Sequence, residues 1–128
     1  MMQKRIEKFT DLVAWQEGHK LVMFIYEETG KFPKSEIFGL SSQMRRCAVS
    51  ITSCIAEGFS RNSLKDKNYF FYISLGSVTE LQNQLLIARD LKYITTEKFK
   101  INADQSVFVH KLINGLIKRN KNKEKENL

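Results

Sequence analysis

The 128-residue chain contains one proline, six glycines and two histidines. All-β sandwiches and barrels consume proline and glycine at their many turns. Their scarcity excludes those folds and leaves room for a few long helices joined by short loops. No run of about 18 apolar residues occurs, so no segment is expected to cross a membrane. The opening MMQKRIEKF lacks the apolar stretch of a secretory leader. There are two cysteines, Cys47 and Cys54. On one helix they would share a face about 10 Å apart along the axis, beyond disulfide reach. They are expected to be reduced and packed, as in a cytoplasmic protein.

What is present is ordinary for one globular domain, 42% hydrophobic and 27% charged. Lysine and arginine number 21 against 14 aspartate and glutamate, a net charge of +7. Residues 1–10, 58–70 and 118–128 carry +2, +2 and +3, while 11–57 and 71–117 carry −1 and +1. The excess thus sits at both termini and at one internal turn. A basic balance of this kind favours polyanions, and it also keeps small proteins soluble.

Apolar spacing predicts four helices. The first runs from about Asp11 to Thr29 on the stripe Leu12, Trp15, His19, Val22, Ile25, with Thr10 or Asp11 as cap and Gly30 as a left-handed terminator. Pro33 breaks the chain there. A second helix, Leu40 to Phe59, carries two apolar stripes and only a narrow polar line of Ser42, Arg46, Ser50, Ser53 and Glu57. A helix so poor in wetted surface is buried on more than one side, which hints at oligomerisation. Ser63 caps a third helix to about Lys92, with Asp66 completing a box. Thr95 or Thr96 caps a fourth to about Arg119, and residues 120–128 form a charged tail with nothing to bury, expected to be disordered. Short connections then imply an all-α, up-down-up-down antiparallel four-helix bundle over residues 11–119, preceded by a basic segment, residues 1–10.

No catalytic constellation is visible. A di-iron bundle needs Glu three residues before each histidine, whereas Gln16 and Val107 precede His19 and His110. Paired zinc spacing, a glycine-rich phosphate loop and a nucleophile elbow are all lacking. No enzyme activity, metal or cofactor is expected, and both histidines read as packed bundle residues. Gly76-Ser77 reads as a point of close helix approach.

The basic residues have two readings. Folding helices two and three as a hairpin about Asn62 brings Glu80 level with Met44 and Arg45, and Glu57 level with Lys67. Arg45 or Arg46 with Glu80, and Glu57 with Lys67 or Arg61, are then structural ion pairs. Alternatively, Arg45, Arg46, Arg61, Lys65, Lys67, Lys118, Arg119 and Lys121 are candidate phosphate contacts.

The residues Phe9…Asp11-Leu12…Trp15…His19, Phe32-Pro33…Glu36…Phe38-Gly39-Leu40, Gln43, Arg45-Arg46, Val49-Ser50-Ile51, Ile55-Ala56-Glu57-Gly58, Arg61, Ser63, Phe70, Gly76-Ser77 and Glu80-Leu81 together resemble the 23S rRNA-intervening-sequence protein family. Relatives of that family include the accessory variability determinant of diversity-generating retroelements. The resemblance implies a four-helix bundle assembled as a ring-like homopentamer, with nucleic acid bound through a basic surface in the retroelement relatives. The chain departs from the family pattern at four positions. Cys47 stands where alanine is usual, Thr52 where proline is common, Cys54 where asparagine is usual, and Lys92 where glycine precedes Tyr93. Ala48, Val49, Thr52, Ala56 and Phe59 are the candidate oligomer interface. The expected function is non-specific RNA or DNA binding by a homo-oligomer, with a protein-interaction scaffold as the alternative.

Overall fold

The computed structural model describes residues 5–127. Among these, four α-helices and no strand occur: α1 (Val13–Thr29), α2 (Leu40–Ser60), α3 (Leu64–Asp90) and α4 (Thr96–Glu126), with 3-10 turns at Phe9–Asp11 and Lys34–Glu36. Every helix packs on its sequence neighbour, and α1 closes the bundle against α4. The facing residues run in opposite senses along each adjacent pair: Thr29 bonds Arg45 and Gly18 lies against Thr52 across α1–α2, while Ser50 bonds Ser77 and Ile51 bonds Ser74 across α2–α3. Across α3–α4 they are Gln82 with Ser106 and Asn68 with Asn120. That is up-down-up-down order. Leu21, Ile25, Met44, Ile51, Ile55, Val78, Leu81, Leu85, Val109 and Ile113 fill the core. Along α3, Phe71, Ser74, Val78, Leu81, Leu85 and Ala88 are buried and form the inner stripe, while Ile73 is exposed. His19 is likewise exposed, stacked on Trp15, rather than packed inside.

The helix ends show what local chemistry decides. Ser63 Oγ accepts from the Asp66 amide (3.0 Å) and Thr95 Oγ1 from the Lys98 amide (3.2 Å), as the cap signals predict. At α1 the expected cap shifts: Asp11 Oδ2 accepts from the amides of Glu7 and Lys8, and the helix begins after Leu12. Gly30 is right-handed (φ −63°), so it does not terminate α1 in the expected way. The left-handed residue is instead Lys92 (φ 63°), which ends α3 with Tyr93 N–H donating to Ala88 O and Lys92 N–H to Arg89 O. Glycine would suit Lys92's backbone, which explains why the resembled pattern has one there. At α2, Gly39 holds the cap position. Glu36 accepts the Leu40 amide (3.1 Å) and the Tyr93 hydroxyl (2.8 Å), and these two bonds hold its carboxyl below the usual range.

Helix α2 is enclosed on two sides by its own chain. Thr52 packs on Gly18 of α1, while Ile51 O accepts from Ser74 of α3 (2.8 Å) and Cys47 donates to Ser77 O (3.0 Å). Ala48 and Thr52 are therefore interior to one protomer and cannot form a surface between copies. The outer line Gln43, Arg46, Val49, Ser53, Glu57 and Ser60 remains exposed. The two apolar stripes thus reflect α1 and α3, not a second subunit.

The helices α2 and α3 approach closely at Gly58, where an added Cβ would lie 2.6 Å from the Phe71 ring and 3.0 Å from Lys67 O. Gly76, expected in that role, is exposed with nothing within 4 Å. Gly58→Ala should lower stability by about 1–3 kcal/mol through overpacking. Gly76→Ala should raise it by about 0.5–1 kcal/mol through reduced chain entropy. Urea midpoints of the two variants check both signs.

Candidate nucleic-acid interface

The main departure from the expected organisation lies at residues 120–128, where α4 continues as regular helix to Glu126. Residues 118–127 include nothing apolar, but lysine and glutamate are good helix formers and the last-turn lysines Lys123 and Lys125 complement the helix dipole. Tertiary bonds also hold the segment. Asn68 donates to Ile117 O (3.2 Å) and accepts from Asn120 (2.9 Å), and Lys121 Nζ lies 5.4 Å from the Tyr72 ring centre. Of the N-terminal basic segment, Lys4 lies outside the described residues and Arg5 and Lys8 are exposed.

The antiparallel order brings this terminus beside the α2–α3 turn. One end of the bundle therefore gathers Arg61, Lys65, Lys67, Lys118, Arg119, Lys121, Lys123 and Lys125, against Glu57, Asp66, Glu124 and Glu126. The members differ in how they are held. Arg61 pairs with Glu57 (3.0 Å) and lies 4.6 Å over the Phe70 ring, so the expected Glu57 pair forms with Arg61. Lys67 is half-buried and donates to Phe59 O (2.7 Å) with its ammonium over the Phe59 ring. Burial, and then the positive charge of Lys123, push its pKa down. Lys65, Lys118 and Arg119 are exposed and make no hydrogen bond or ion pair among the described residues. Lys118, Lys121 and Lys125 recur at three- and four-residue steps and so share one face of α4. Tyr69 and Tyr72 stand exposed beside them.

Arg45 and Arg46 lie elsewhere. They sit near the opposite end of α2, roughly 24 Å along the axis from Arg61. Arg45 turns to α1, donating from Nε to Thr29 Oγ1 (2.8 Å) and from Nη2 to Tyr26 O (3.3 Å), with its guanidinium 4.6 Å over the Tyr26 ring. The Arg45–Glu80 pair therefore does not form. The helices are level as the hairpin requires, but position 45 faces α1 rather than α3. Arg46 and Glu80 border one small groove without an ion pair. Glu80 instead faces Cys47, whose thiol is pushed up to about 12, first by burial and then by that carboxylate.

Arg45 and Arg46 also line a cleft of about 860 Å³ between the α1–α2 connection and α2. Its rim carries Ile37 and Phe38, the latter 96% exposed, together with Val49 at 40%. Among the expected interface residues only Val49 is exposed, with Ala56 and Phe59 partly so. Neither the tyrosines nor Lys123 and Lys125 was singled out from sequence. For Lys125 the signal is the continued helical spacing of Lys118, Lys121 and Lys125 beyond Ile117; the tyrosines carry no comparable sequence signal.

Among the described residues no group of three or more His, Cys, Asp or Glu could hold a metal, and no helix is long and apolar enough to cross a membrane. The family model described as 23S rRNA-intervening sequence protein matches residues 10–115. A crystal structure of a protein with unknown function from the S23 ribosomal protein family of Bacteroides thetaiotaomicron superposes with a TM-score of 0.75 at 24% identity. The match covers 83% of this chain and 99% of that one. No curated protein matches.

The two arginines should separate by substitution. Arg45→Ala should cost about 1.5–3 kcal/mol in a urea melt, because it leaves Thr29 and Tyr26 without a charged donor. Arg46→Ala should stay within about 0.5 kcal/mol of wild type.

Proposed function

This chain belongs to the 23S rRNA-intervening sequence protein family, and we propose that it is a non-catalytic, homo-oligomeric bundle that binds RNA or DNA without sequence preference through the basic end of each protomer. The observation that carries the reading is the convergence of the α2–α3 turn and the α4 terminus. Eight cations from two chain regions meet there, and Lys65, Lys118 and Arg119 have no partner among the described residues. Phosphate contact by such groups releases counterions, and that entropy drives binding.

Arg45 has its bonds made within the fold and is assigned a structural role. Arg46 is free but remote from the basic end. Both therefore leave the proposed contact set, and Arg61, Lys65, Lys67, Lys118, Arg119 and Lys121 remain, with Lys123 and Lys125 added.

The oligomer half of the reading rests on a different observation. A phenylalanine 96% exposed at the lip of an 860 Å³ cleft is costly to leave in water. Contact with a second copy would cover Phe38, Ile37 and Val49. A homopentamer is the assembly that the family resemblance implies.

Two measurements test the proposal. Labelled RNA titrated at 50 and 200 mM salt should bind about 10²-fold more weakly at the higher concentration if about four phosphates are contacted. Lys118→Glu with Lys121→Glu should flatten that slope, and Arg46→Glu should leave it unchanged. Absence of binding at low salt, or a flat slope in wild type, favours the protein-scaffold reading instead. Phe38→Asp should lower the mass seen by light scattering, and a monomeric wild type would defeat the oligomer claim.

A further inference from the structure

We propose that the nucleic acid taken by the basic end is single-stranded, with unpaired bases stacking on Tyr69 and Tyr72. This rests on the polyanion-binding reading above and names the form of its ligand.

Tyr69 and Tyr72 are three residues apart on α3 and are 62% and 46% exposed. Neither hydroxyl makes a hydrogen bond, so the rings are not anchored there by their polar tips. They border a groove of about 310 Å³ with Lys65, Asn68, Lys121 and Glu124, at the small end of the range for ligand sites. The groove is braced. Tyr69 stands edge-on against Phe70 at 5.2 Å, and the buried Asn68 joins α3 to α4 through Ile117 O and Asn120. Such bracing lowers the entropy lost when a ligand binds.

Cations alone do not distinguish a duplex from a single strand, since both present phosphates. Exposed aromatic rings do. A paired base has its faces covered by its neighbours, whereas an unpaired base offers a π-face to tyrosine. Lys121 already lies against the Tyr72 ring, which places a phosphate-binding cation within reach of any base stacked nearby. Glu124 is the one carboxylate in the groove and makes no ion pair among the described residues. It repels phosphate and accepts hydrogen bonds, so it suits the amino edge of a base. Cation, ring and acceptor together match a nucleotide with its base exposed.

The test compares single-stranded and duplex RNA of equal length by fluorescence anisotropy, using the full chain. Wild type should prefer the single strand. Tyr72→Ala and Tyr69→Ala should each weaken single-strand binding by about 5- to 150-fold while leaving duplex binding unchanged, and Tyr72→Phe should restore it. A wild-type measurement independent of variant folding is photocrosslinking with a 4-thiouridine-bearing single strand. The crosslink should map by mass spectrometry to Tyr69 or Tyr72. Equal binding of both forms, unmoved by either alanine, overturns this inference and leaves the polyanion reading standing. Binding of neither form overturns both.

Discussion

The approach of α2 to α3 is the constraint on which the molecule depends. At Gly58 the helices come so close that a single methyl group would meet the Phe71 ring. Further along, contact passes through small polar groups: Ser50 to Ser77, Ser74 to Ile51 O, and Cys47 to Ser77 O. Hydroxyls and a thiol can serve as spacers because each bond is satisfied within the pair, so burial leaves no orphaned donor. The result is a stiff hairpin whose turn projects Arg61 and Lys65 at a fixed place. Gly18 gives α1 a looser approach on the other flank, where an added Cβ would lie 3.1 Å from the Thr52 methyl group.

That rigidity has an electrostatic consequence. Once α4 runs antiparallel to α3, its lysine-rich end must lie beside the turn between α2 and α3, and like charges are held together by the packing of apolar residues elsewhere. Lys67 registers the crowding: desolvation and the charge of Lys123 both disfavour its protonated form. Arg61 and Lys121 are partly accommodated by aromatic faces, at 4.6 and 5.4 Å. A polyanion would relieve the remaining repulsion, which links the fold to the proposed activity.

Much of the fold was legible from spacing alone. Four helices, their order and the level of α2 against α3 follow from periodicity, one proline and cap residues such as Ser63 and Thr95. The candidate site was legible only in part. Charge clustering points to the turn and the terminus, but the end of α4 buries nothing apolar, so by pattern alone it resembles released chain. It is held instead by asparagine bonds to α3, which no hydrophobic pattern records. Arg45 illustrates a second limit. Its level along the hairpin was right, yet about 100° of helical rotation separates neighbouring residues. That rotation decided between Glu80 on α3 and Thr29 on α1.

The sequence by itself determined the four helices, their antiparallel order and the sign of the charge, because these depend on local spacing and composition; the length of α4 beyond Arg119 did not follow from it. Only tertiary structure decided which neighbour each stripe of α2 faces. An apolar surface seeks any apolar partner, and periodicity cannot say whether that partner is α1 of the same chain or another copy. Likewise, tertiary structure alone placed Tyr69 and Tyr72 beside Lys121, since three-dimensional proximity across some fifty residues is set by packing and by nothing local.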